Sequence, residues 1–170
     1  MKRLLVVVDM QKDFIDGSLG TPEAVAIVPY VASKIEEFRQ AGQTVVFTLD
    51  THGEDYLNTQ EGQNLPVVHC IKGTEGWRID GQLEIGESMV FEKPAFGSLE
   101  LGAWVREQGF DEIELVGLCT DICVISNAMI IKAAVPETPV AVDAHCCAGV
   151  TPRSHANALD AIRMCQIKIM

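Results

Sequence analysis

Short apolar runs rich in Val and Ile, separated by stretches of helical period, constrain this chain more than any other feature. They cover residues 4–8, 44–49, 88–91, 112–116, 140–142 and 166–169. Several do not alternate polar with apolar, as expected of strands covered on both faces of a parallel sheet. Helical periods fill the gaps at 25–40, 99–108, 121–134 and 152–165. Thr21-Pro22-Glu23 opens the first of these and Gly42 stops it, while Gly109 and Pro136 close the next two. Strands alternating with helices imply right-handed crossovers. The expected fold is α/β, a doubly wound three-layer sandwich with a mostly parallel sheet of about six strands, in one domain over residues 1–170. In such folds ligands bind beyond the carboxyl ends of the strands.

Composition removes several function classes. A formal charge of −11 disfavours nucleic acid, whose phosphates need a basic surface to replace their counterions. No apolar run reaches bilayer length. Lys2-Arg3 and the run behind them resemble a signal peptide only superficially, because Asp9 ends the run and no small-residue cleavage site follows. A first strand and a cytoplasmic location are expected. The six cysteines contain no Cys-x-x-Cys pair, so most are expected to be reduced core residues.

Three polar residues fall at expected strand ends. Asp9 terminates a wholly apolar strand, Lys93 follows the third, and Cys123 lies just past a strand and a Gly-containing turn, in the first turn of the next helix. Taken singly, each has a bland reading: a turn cap, a solvated amine, a buried core thiol. Together they can meet only at one edge of the sheet, where they supply a proton acceptor, a cation and a nucleophile. That set suits amide hydrolysis. The ammonium and the helix N-terminus are expected to lower the thiol pKa, and backbone N–H groups before Cys123 to receive the oxyanion.

The segment 51–82 has no convincing period and reads as a long irregular excursion. Asp50-Thr51-His52 lies where it begins, and His69 and Glu61 lie within it. Two imidazoles and a carboxylate suit Zn²⁺ or Fe²⁺, and Glu61 could be a further ligand. Equally, the histidines could be ordinary loop residues. Trp77 and Phe14 could line an apolar pocket, whereas His145 and His155 read as structural or surface residues.

With these residues in view, the chain resembles the nicotinamidase branch of the isochorismatase-like cysteine hydrolases along nearly its whole length. The matching blocks are Val7-Val8-Asp9-Met10-Gln11-Lys12-Asp13-Phe14, Asp50-Thr51-His52, Val68-His69-Cys70-Ile71-Lys72-Gly73-Thr74, Lys93-Pro94-Ala95-Phe96 and Gly117-Leu118-Cys119-Thr120-Asp121-Ile122-Cys123-Val124. The resemblance implies a triad of Asp9, Lys93 and Cys123, and a divalent metal on Asp50, His52, His69 and Glu61. Zn is the first choice of ion, with Fe and Mn as others. It further implies a cis peptide at Leu118-Cys119, an oxyanion hole from the N–H groups of Cys119 and Cys123, and a substrate pocket with Phe14, Leu65 and Phe96. Leu65 stands where many nicotinamidases carry an aromatic residue. The implied activity is hydrolysis of nicotinamide to nicotinate and ammonia through a cysteine thioester, in a homodimer or homotetramer. Two other readings stay open: an amidase for another small amide or N-carbamoyl compound, and a non-catalytic relative that binds a metabolite or partner protein.

Overall fold

In the first strand, alternate side chains enter two different cores, and this fixes the layering of the molecule. The computed structural model describes residues 1–170. Its strands are β1 (Arg3–Val8), β2 (Thr44–Asp50), β3 (Met89–Lys93), β4 (Glu112–Leu118), β5 (Val140–Ala148) and β6 (Lys168–Ile169). They form one sheet in the order β3-β2-β1-β4-β5-β6, and every neighbouring pair is parallel. The helices are α1 (Lys12–Ile15), α2 (Pro22–Gln40), α3 (Gln60–Asn64), α4 (Leu99–Gln108), α5 (Ile125–Ala134) and α6 (Pro152–Met164). Leu5 and Val7 pack with Ile27, Val31 and Ile35 of α2, while Leu4, Val6 and Val8 pack with residues of α4, α5 and α6. Helices therefore cover both faces, as expected of near-continuous apolar strands. No helix is long and apolar enough to cross a membrane.

Chain order reverses between β1 and β4, so the carboxyl ends of these central strands flank a crevice. Gly117 makes their close pairing possible. Its φ is +118°, and a Cβ there would stand 2.1 Å from the Val8 carbonyl oxygen. The next residues, Leu118-Cys119, are joined by a cis peptide bond.

Local chemistry moved several boundaries from their expected positions. α2 begins at Pro22, ahead of the periodic stretch from 25 and where the Thr21-Pro22-Glu23 signal puts its start: Thr21 caps it by accepting the Ala24 N–H at 3.0 Å. β5 runs on to Ala148, past the polar Asp143 and His145 that seemed to end it, through a register shift against β4. The helix expected from 121 opens instead as a π-helical turn, Thr120–Val124, before α5. Nor is the excursion irregular throughout: it contains a 3₁₀ turn, Tyr56–Asn58, and α3, capped by Thr59.

Candidate active site

Four strand ends build the site. β1 ends at Val8, so Asp9 leaves the sheet in a left-handed conformation (φ 45°) that Asp tolerates better than most residues. The ends of β2 and β3 present Asp50 and Lys93, which are register partners. Beyond β4, the π-helical turn presents Cys123. All four side chains are buried.

The Lys93 ammonium joins them. Its Nζ lies 2.6 Å from Asp9 Oδ2, 3.4 Å from Cys123 Sγ, 3.5 Å from Asp50 Oδ1 and 3.1 Å from the Ala95 carbonyl oxygen. The other Asp9 oxygen accepts the Thr48 hydroxyl at 2.6 Å. Burial lowers the Lys93 pKa, but the Asp9 and Asp50 carboxylates outweigh it and hold the amine protonated. Burial also drives the Asp9 pKa upward, and Lys93 offsets only part of this.

The thiol departs from expectation. Its pKa is raised well above the ordinary value, first by burial and then by the Asp9 carboxylate, and Lys93 does not offset both. The resting site therefore pairs an ammonium with a carboxylate and keeps sulfur as a neutral thiol, handing its proton over only during attack. Iodoacetamide titration of Cys123 is expected to show a midpoint above the ~8.5 of a free thiol. Asp9→Asn removes one cause of the shift, so its midpoint should fall and alkylation at neutral pH should quicken while amide turnover drops. An unmoved midpoint would contradict this charge arrangement.

Beside the thiol, Asp50, His52, Glu61 and His69 bring four ligating atoms within 4.8 Å of one another. His52 Nε2 is 3.0 Å from Asp50 Oδ2 and 3.6 Å from Glu61 Oε1; His69 Nε2 is 3.5 and 3.8 Å from the same two oxygens. Donors sharing one ion at bonds of about 2.0–2.2 Å sit roughly 3.0–3.5 Å apart, so the set nearly matches a metal shell. One further feature fits. His69 Nδ1 lies 2.7 Å from the Val67 carbonyl, to which it can donate, leaving the Nε2 lone pair for the site. The other Asp50 oxygen, Oδ1, is turned to the Lys93 ammonium at 3.5 Å. Tyr56 packs on both imidazoles, with ring centroids 4.7 and 4.9 Å away.

A cavity of about 690 Å³ joins the two halves. Asp50, Glu61 and His69 line one part and Cys119 and Cys123 another, with Phe14, Leu65 and Phe96 among the apolar walls. Trp77, a candidate for that wall, lies outside it and donates its indole N–H to Thr51 Oγ1 at 2.9 Å. The Cys119 N–H has no acceptor in the protein, while the Cys119 carbonyl accepts from Ile122 and Val124 at 3.0 and 3.1 Å.

Sequence reasoning gave no role to the residues that hold these groups in place. The buried Gln11 side chain bonds both backbone groups of Asp50, accepting its N–H at 2.8 Å and donating to its C=O at 2.9 Å. Asn127 donates to the Cys123 carbonyl at 2.8 Å, and Asp13 accepts the Cys70 N–H at 2.8 Å. Thr48 carried a readable signal, a polar residue inside an apolar strand.

A parallel α/β sheet with a thiol, an ammonium and a carboxylate buried together beyond its strand ends sets the class of site: a candidate nucleophile beside a candidate proton acceptor. More narrowly, the chain belongs to the isochorismatase domain family, whose sequence model matches residues 3–170. It is 29% identical over 185 residues to the nicotinamidase/pyrazinamidase of Mycobacterium tuberculosis, covering 99% of this chain and 98% of that protein. Among solved structures, it superposes on the pyrazinamidase of Pyrococcus horikoshii in complex with zinc at TM-score 0.88 and 27% identity, covering 100% and 99% of the two chains. It also superposes on the N-carbamoylsarcosine amidase of Thermoplasma acidophilum at TM-score 0.83 and 30% identity, covering 99% and 95%.

Proposed function

We propose that this protein is a metal-dependent nicotinamidase that converts nicotinamide to nicotinate and ammonia. One observation carries the reading: the Lys93 ammonium is 3.4 Å from the thiol sulfur and 3.5 Å from a carboxylate of the candidate metal set. Thiol and metal set thus face one cavity a short way apart, and a flat ring carrying a carboxamide can address both. A divalent ion, Zn²⁺ first among the candidates, would be held by Asp50, His52, His69 and Glu61 and would supply a Lewis acid that fixes a ring nitrogen.

The chain's own residues then carry the chemistry. Cys123 Sγ attacks the carboxamide carbon as its proton passes to Asp9, with Lys93 balancing the charge that moves between them. The N–H groups of Cys119 and Cys123 receive the oxyanion. As the C–N bond breaks, Asp9 returns the proton to the departing nitrogen, leaving ammonia and a thioester. Water, deprotonated by Asp9, cleaves the thioester to nicotinate and restores the thiol. Phe14 and Phe96 offer apolar surface to the ring.

Ammonia release from nicotinamide decides the matter. Dialysis against a chelator is expected to reduce it at least about tenfold, with recovery on adding Zn²⁺, Fe²⁺ or Mn²⁺. A metal-loaded protein that leaves nicotinamide intact would refute the assignment. The second reading, an amidase for a different small amide or N-carbamoyl compound, draws support from Leu65, an aliphatic, partly exposed wall that stacks on no ring. An amide without a ring nitrogen would then be turned over faster than nicotinamide, with little loss on chelation.

A further inference from the structure

We propose that His155, acting through Thr120, is a positioning residue for the turn that carries Cys119 and Cys123. The inference rests on the reading of those two residues as oxyanion donors and nucleophile. Thr120 follows Cys119 directly, is fully buried, and has His155 Nδ1 at 2.7 Å from its hydroxyl. His155 comes from the first turn of α6, far away in sequence and joined to β5 by a short connection. A second tie runs beside the first: the Asp121 carboxylate accepts the Val150 N–H at 3.1 and 3.3 Å.

These ties meet a local need. The Thr120–Val124 turn is π-helical, and wide turns of this kind occur mostly as single turns that tertiary contacts must support. Its anchor from within is the Cys119 carbonyl, shared between two N–H groups. From outside, α6 is itself firmly placed. Thr151 and Ser154 form a reciprocal cap, and Gly149 admits the helix so closely that a Cβ there would stand 2.8 Å from His155 Cβ. Burial keeps the His155 imidazole below its ordinary pKa against the weaker pull of Asp121, so a neutral ring meets the hydroxyl. Loss of the ring nitrogen would orphan a buried hydroxyl between the two residues whose N–H groups must aim at one oxygen.

Three variants test this. His155→Phe keeps an aromatic ring but no acceptor, His155→Asn offers a polar atom near the place of Nδ1, and Thr120→Val removes the bond from the other side. His155→Phe is expected to lower kcat about tenfold with KM changed less than about twofold, and to speed amide hydrogen exchange across residues 119–124. His155→Asn should recover most of both. Should His155→Phe not fold, Thr120→Val carries the same comparison. Wild-type kcat and exchange in the Phe or Val variant, or an Asn variant no better than Phe, would overturn the proposal. Exchange needs no substrate, so this outcome is read separately from whether nicotinamide is turned over.

Discussion

Cys123→Ala is expected to lower amide turnover at least about 10⁴-fold while leaving the fold intact. Of the two thiols that line the cavity, only Cys123 stands beside the Lys93 ammonium, and neither Asp9 nor Lys93 can form a thioester in its place. Its removal costs little stability. The thiol is neutral, and its loss leaves a small gap worth about 1 kcal/mol, or a few degrees of Tm for a chain of this size. Turnover within tenfold of wild type, measured as ammonia release, would remove Cys123 from the chemistry.

Lys93→Met is expected to abolish activity and also to destabilise the protein strongly, which separates it from the first variant. Lys93 is a fully buried ammonium between two buried carboxylates, Asp9 at 2.6 Å and Asp50 at 3.5 Å. Breaking a buried ion pair from one side leaves an unpaired charge and costs about 3–5 kcal/mol. For a chain of this length the same loss lowers Tm by roughly 6–20 °C in a thermal melt. Adding Asp9→Asn to Lys93→Met should restore part of the lost stability, because the orphaned charge is gone, but none of the activity. A Lys93→Met protein as stable as wild type would contradict the charge arrangement.

Fold and site were legible in the sequence to different degrees, for physical reasons. Strands whose burial is complete declared themselves: β1, β2 and β4 are apolar runs with no competing period, and each expected range lies within a residue or two of the observed one. β5 was read short because Asp143 and His145 interrupt its pattern, and a strand that shifts register leaves no periodic trace. The π-helical turn was invisible for a similar reason, since its composition is that of an ordinary helix start. Asp9, Lys93 and Cys123 could be paired because strand ends of a parallel sheet share one edge, so topology alone brings them near. The direction of the thiol's pKa could not be read that way. It depends on how deeply the sulfur is buried and on Asp9 standing close to it, which are properties of packing. The supports of Gln11, Asn127 and His155 escaped for the same reason, each being an ordinary polar residue until its partner's position is known.

Acid-quenched mass spectrometry of the protein mixed with nicotinamide addresses the central claim most directly. A nicotinoyl group attached to Cys123 during turnover, absent from Cys123→Ala and from protein quenched before mixing, is the predicted result. Rapid ammonia release with no acyl group on Cys123 at any quench time, and undiminished in the Cys123→Ala protein, would contradict it.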